Sequence, residues 1–143
     1  MEIAKLKDAS RDILHDINSL LVQLRNDSSQ NRGTLEELRD VTSNRNVITM
    51  VARDGERIVG MGFLYPIIHV GRRTGHIEDV VVDSAYRGKG LGEKIMQALI
   101  DTARKRNLTA LYLTSRPARV AANKLYQKLG FVGKKTNVYK LTL

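Results

Sequence analysis

The chain has 143 residues, with 24 Lys+Arg against 15 Asp+Glu and a net charge of +9. That is the length of one domain, 1–143, able to bury roughly two thirds of its unfolded surface; with 42% hydrophobic residues, wholesale disorder is excluded. The absence of cysteine excludes disulfides, thiolate zinc sites and a cysteine nucleophile. No apolar run approaches the ~20 residues of a membrane span, and Met1 to Lys7 lack the apolar stretch of a secretory signal, so a cytoplasmic chain with no membrane partner is expected.

The positive balance suits an anionic partner such as a phosphorylated small molecule, but equally a plain solvated surface. Basic clusters are short (Arg72-Arg73, Arg104-Lys105-Arg106, Lys134-Lys135) and aromatics are sparse, so no nucleic-acid partner is expected.

In chain order, Glu2 to Lys7 alternates weakly and predicts a first strand. Ser10 then caps a helix whose apolar stripe is Ile13, Leu14, Ile17, Leu20, Leu21 and Leu24. Asn26 to Ser29 stops it. Thr34-Leu35-Glu36-Glu37 has capping-box spacing and opens a second helix with Leu38 and Val41 inward. Val47 to Ala52 and Ile58 to Tyr65 read as two strands around the hairpin signal Asp54-Gly55, with Pro66 limiting the second. A turn at Gly71 to Gly75 leads to a strand from His76 to Asp83, completing an antiparallel meander.

The pattern then changes. Leu91, Ile95, Met96, Leu99 and Ala103 mark a helix, and Thr109 to Thr114 a strand. Pro117 suits the start of a last helix carrying Ala121, Ala122, Leu125 and Leu129, which Gly130 caps. Val138 to Leu143 reads as a closing strand. The fold class is α/β (α+β), a mixed, mostly antiparallel central sheet flanked by helices.

Chemistry concentrates between Val80 and Gly92. A buried-type strand runs into Arg87-Gly88-Lys89-Gly90-Leu91-Gly92, where a helix starts. Glycine lets the backbone approach a ligand, and a helix start adds unpaired N–H groups and a positive dipole end. Together they suit a phosphate, with Arg87 and Lys89 adding charge. Gly88-Lys89-Gly90 fails the Walker A pattern, and the glycine spacing fails the dinucleotide fingerprint. A tight turn with incidental glycines is the plain alternative. His76-Ile77-Glu78 superficially matches the H-x-E of zinc deaminases, but the cysteine ligands are missing, so no metal site is expected.

Arg87 to Gly92 resembles the Q/R-x-x-G-x-G/A pyrophosphate loop of the GNAT superfamily of N-acetyltransferases. Val80-Val81-Val82-Asp83 is similar to that superfamily's fourth strand, and Ala122 to Phe131, with Tyr126 and Gly130, to its second signature. The similarity in element order spans the chain. It implies acetyl-CoA as cosubstrate and no metal cofactor. The amides of Arg87, Gly88, Lys89, Gly90, Leu91 and Gly92 would hold the pyrophosphate, and the backbone of Val80, Val81 and Val82 would pair with the pantetheine arm beside a bulge.

Amide formation from a thioester needs a neutral amine, a polarised carbonyl and a protonated leaving thiolate. Glu78 is the candidate base, through water, its alternative being a cross-strand charge partner. Strand alternation lets only one of Glu78 and Asp79 face the site unless a bulge intervenes. A backbone N–H near Val81 would meet the oxyanion. Tyr126 matches the family's signature tyrosine and is the candidate acid; its alternative is packing. Where family members place Asn seven residues before that tyrosine this chain has Arg119, and Asn123 is the candidate contact to the CoA arm.

The resemblance thus implies acetyl transfer to a primary amine, of a small molecule or a peptide, by direct attack in a ternary complex. The segment Gly75 to Val82 also resembles glucosamine-6-phosphate acetyltransferases, which raises an amino-sugar phosphate as acceptor. A CoA-binding sensor without transfer chemistry is the alternative of another class. Dimers through the C-terminal strands are common in the superfamily, so a homodimer is a further expectation.

Overall fold

The computed structural model describes residues 1–25 and 32–143. The helix stop expected at Asn26 to Ser29 lies outside the described residues. The elements in order are β1 (Glu2–Lys5), α1 (Arg11–Arg25), α2 (Leu35–Ser43), β2 (Ile48–Asp54), β3 (Arg57–His69), β4 (Arg72–Val82), α3 (Leu91–Lys105), β5 (Ala110–Tyr112) and α4 (Val120–Lys128). The strands form one sheet in the order β1-β2-β3-β4-β5. β1 to β4 pair antiparallel and β5 joins β4 in parallel, the mixed sheet expected.

Local sequence accounts for the boundaries. The Ser10 hydroxyl accepts from the Ile13 amide at 3.2 Å and starts α1. Thr34 and Glu37 form the expected capping box, Glu37 N–H to Thr34 Oγ1 at 3.2 Å and Thr34 N–H to Glu37 Oε2 at 2.8 Å. Gly130 adopts φ 95° just past α4, where a left-handed residue ends a helix without Cβ strain.

The sheet separates two apolar layers. One contains Ile48, Met50, Leu64 and Ile77 under α3's Leu91, Ile95, Met96 and Leu99. The other contains Val51, Ile58, Met61 and Phe63 against α1's Ile17 and Leu20 and α2's Leu38. Gly60 and Gly62 let α3 lie close on β3: a Cβ at Gly60 would stand 2.9 Å from Ile95 Cδ1, and one at Gly62 3.0 Å from Leu99 Cδ1. This close seat sets where the N-terminus of α3 falls, just beyond the C-terminal end of β4.

Four sequence expectations need correction. Pro66 does not limit β3, which continues to His69. β2 reaches only to the Ile48–Leu64 pair, so Pro66 sits where one edge of β3 has no partner, a position that tolerates a missing N–H. β4 begins at Arg72, so the turn contracts to Val70-Gly71. Pro117 precedes α4 within a turn rather than starting it, and Ala121 faces solvent. Residues 131–143 contain no strand. The alternation of Val138 to Leu143 fits a strand, but a strand needs a neighbour, and this segment pairs with none among the described residues.

Candidate active site

The site grows from a fault in the β3–β4 ladder. Met61 pairs with Val81 and Phe63 with Glu78, so Gly62 stands opposite both Asp79 and Val80, the two-against-one count of a bulge. Asp79 has φ 49°, a left-handed conformation that is unfavourable for a non-glycine residue. Strand alternation fails here, and both Glu78 and Asp79 line the same cleft. The bulge weighed in the sequence reading therefore places both carboxylates in the site.

The cleft opens because β5 is short. β4 pairs with β5 only from Thr74 to His76, and beyond Ile77 the two strands part. The gap has a volume of about 180 Å³. Its walls are Ile77 to Val80 of β4, Leu113 and Thr114 following β5, Arg116 and Arg119 before α4, Tyr126 of α4, and Leu24 and Arg25 at the end of α1. Carboxylates occupy one wall and guanidiniums the others.

Tyr126 is buried and meets Phe131 edge to face, ring centroids 6.1 Å apart. Burial pushes its phenol above the ordinary value, and the nearby Arg119 charge opposes that shift. A second phenol, Tyr65 on β3, is also raised, first by burial and then by the Asp79 and Glu78 charges. Glu78 is solvent-exposed and makes no ion pair among the described residues.

At the end of β4 the chain turns through Ser84–Tyr86 into the glycine loop. Asp83 holds this corner: Arg57 Nη2 donates to its Oδ2 at 3.1 Å, and the Ala85 amide to its Oδ1 at 3.0 Å. From α1, Gln23 Oε1 accepts from the Ser84 amide at 2.9 Å. The loop beyond is open. Gly88 and Gly90 have φ 76° and 74°, and a Cβ on either would meet nothing within 4 Å. Gly90 is the N-cap of α3 and no side chain caps it. Among the described residues no acceptor takes the amides of Gly88 to Gly92. This is a cradle of free N–H groups at a helix start, with the chemistry to hold an oxyanion. Leu91 is buried and anchors it.

The other sequence-derived site residues fall as follows. Val80 lines the cleft, while Val81 buries its side chain toward the α1 layer and Val82 packs toward α3. β5 does not pair with the backbone from Val80 to Val82, where Val82 O is taken by a side chain instead. Arg87 Nε donates to Val82 O at 3.1 Å, and Lys89 Nζ lies 5.0 Å from the Tyr86 ring centroid. Asn123 is not part of the cleft wall; its Nδ2 donates to Arg116 O at 2.9 Å. Sequence reasoning missed Leu24, Arg25 and Tyr65. Nothing in their local spacing marks them, because long-range packing of α1 and β3 brings them to the bulge. Among the described residues no group of three or more His, Cys, Asp or Glu could hold a metal ion, and no helix is long and apolar enough to cross a membrane.

A bulge on one side of β4, a gap on the other, free amides at the strand's end and a phenol across the gap make up the candidate site. The chain belongs to the acetyltransferase (GNAT) family, matched over residues 12–131, and is an N-acetyltransferase. It is 33% identical over 135 residues to glucosamine 6-phosphate N-acetyltransferase 1 of Oryza sativa subsp. japonica, a match covering 91% of this chain and 79% of that one. It is 31% identical over 90 residues to the [ribosomal protein bS18]-alanine N-acetyltransferase of Escherichia coli K12, covering 58% and 61%. Its structure superposes on glucosamine-6-phosphate N-acetyltransferase from Arabidopsis thaliana with a TM-score of 0.76 at 26% identity, covering 98% of this chain and 97% of that one.

Proposed function

We propose that residues 1–143 form one acetyl-CoA-dependent N-acetyltransferase domain, cytoplasmic, whose acceptor is a small amine bearing an anionic group, of which an amino-sugar phosphate is the leading case. The observation that carries this reading is the juxtaposition of the free-amide cradle at Gly88 to Gly92 with the parted strands β4 and β5. The residues fit the donor on their own geometry. Open glycines leave room for a diphosphate, and the β4 backbone from Val80 to Val82, which β5 does not pair, can hydrogen-bond an extended amide-bearing arm as an added strand would. Arg87 and Lys89 flank the cradle with positive charge.

Acetyl-CoA, when bound, supplies the thioester carbon that is attacked. Glu78, in the cleft wall, takes a proton from the incoming ammonium through water, leaving a neutral amine. The C–N bond forms and the C–S bond breaks. A backbone N–H at the bulge near Val81 stabilises the oxyanion. Tyr126 would give its phenolic proton to the departing thiolate, and the proton that the nitrogen sheds as the amide forms would restore the phenol. A phenol holds its proton at neutral pH, and burial pushes this one further up. Asn123 braces the turn at Arg116, next to the cofactor arm it is expected to meet. The two carboxylates attract an ammonium, and Arg25 and Arg116 give the opposite wall the charge to meet a phosphate. The amino-sugar phosphate reading draws on this pairing and on the rice relative.

A homodimer belongs to the same proposal. Val132, Val138, Tyr139, Leu141 and Leu143 are exposed, and among the described residues β5 has no strand on its outer side. A second copy supplies both an edge for this segment and a segment for this edge, which a two-fold exchange satisfies at once.

The test is coenzyme A release from acetyl-CoA with glucosamine 6-phosphate, glucosamine and a peptide α-amine. The expected result is turnover of the phosphorylated sugar with kcat/KM at least about tenfold above glucosamine, the worth of one charge-assisted contact. Preference for the peptide amine would overturn the acceptor reading. Failure of acetyl-CoA to bind would overturn the whole proposal.

A further inference from the structure

Arg119 breaks a local rule. It is the N-cap of α4, where a cation opposes the helix dipole, yet its side chain makes no capping bond and the first turn of α4 carries no acidic residue. Such local inconsistencies concentrate at functional positions. The turn that presents it is well built: Arg119 N–H donates to Arg116 O at 3.0 Å, and Asn123 holds the same carbonyl through Nδ2 at 2.9 Å while its own amide donates to Arg119 O at 3.0 Å. The side chain is half-buried in the cleft wall with Tyr126, and no carboxylate among the described residues pairs with it. Seven residues separate Arg119 from Tyr126, close to two helical turns, so both lie on one face.

The charged groups of the cleft divide by end. Glu78 and Asp79 project from β4, Arg25 from α1, and Arg116 and Arg119 from the turn before α4. The two carboxylates raise the Tyr65 phenol, whereas the Arg119 charge opposes the rise at Tyr126. The cleft thus sets carboxylates on β4, suited to an ammonium, against guanidiniums on the turn that leads into the helix carrying Tyr126.

We propose that Arg119 is the counter-charge of the leaving-group end: its unpaired guanidinium stabilises the thiolate released as the C–S bond breaks and holds it beside the Tyr126 hydroxyl that protonates it. The proton passes from the phenol to sulfur, and Arg119 keeps its own. This rests on the acetyl-CoA reading above and adds a residue to it.

The experiment titrates the thiol of coenzyme A bound to the protein, following thiolate ultraviolet absorbance, in the wild type, R119M and R119K, with affinity measured in parallel by calorimetry. The expected result is a bound thiol pKa lower in the wild type than in R119M by about one unit, largely restored in R119K, with affinity changed little. R119Q, a second neutral variant, gives the same comparison should R119M fold poorly by circular dichroism. Equal thiol pKa values in variants that still bind would overturn the inference alone. So would a loss of affinity without a pKa change, which would make Arg119 a phosphate contact. No binding to the wild type would overturn the acetyl-CoA reading and this inference with it.

Discussion

The Tyr126 phenol is pushed above its ordinary value because burial outweighs the Arg119 charge. In the unfolded chain its phenol titrates at the ordinary value of 10.0, so below that pH both states carry the proton and stability does not depend on it. Above it, the unfolded chain releases a proton that the folded chain retains, and stability falls as pH rises. Denaturant midpoints should therefore drop above pH 10.0, less steeply in Y126F; equal slopes would contradict the assignment. In catalysis, Y126F should lower kcat about 10²-fold while leaving coenzyme A affinity near wild type, as expected for a lost general acid. An unchanged kcat across pH would remove Tyr126 from the acid role. Tyr126 was legible in the sequence through its place before Gly130. Tyr65 was not, since its meeting with Asp79 depends on the register at which β3 and β4 pair around the bulge, which local spacing does not set.

The elements that matter most are the two ends that meet at the site, the end of β4 and the start of α3. Gly90 at φ 74° has open space around it, so G90A is strained by backbone alone, costing about 1–2 kcal/mol, a few degrees of melting temperature in a chain of this size. The same methyl enters the anion cradle, so coenzyme A affinity should fall more than tenfold, a larger loss than the melting shift explains. Calorimetry and thermal melts on one preparation check this, and an intact affinity would mean that the loop amides do not hold the diphosphate. The sequence made this region readable because turn, cap and helix chemistry are local: Gly88, Gly90 and the stripe from Leu91 to Ala103 each act within a few residues. It was less readable at β3, where Pro66 is tolerated only because β2 has already ended.

At the scale of the whole molecule, the last six residues set the account's largest structural prediction. Their alternation reads as a strand, yet they pair with no strand among the described residues, because edges are properties of an assembly and not of a segment. Truncation after Gly133 should convert a dimer to a monomer in light scattering on a sizing column; a monomeric full-length chain would contradict the exchange. The positive charge of +9 should make coenzyme A binding weaken with salt, while uncharged pantetheine should respond little. That pair of ligands also supplies the most direct test of the central claim, that free amides at the mouth of α3 hold a diphosphate and so aim the acyl group into the split sheet. Calorimetric titration with coenzyme A and with pantetheine should give affinities differing by about a hundredfold or more, the worth of two charge-assisted hydrogen bonds. Equal affinities, or no heat with coenzyme A, would contradict it.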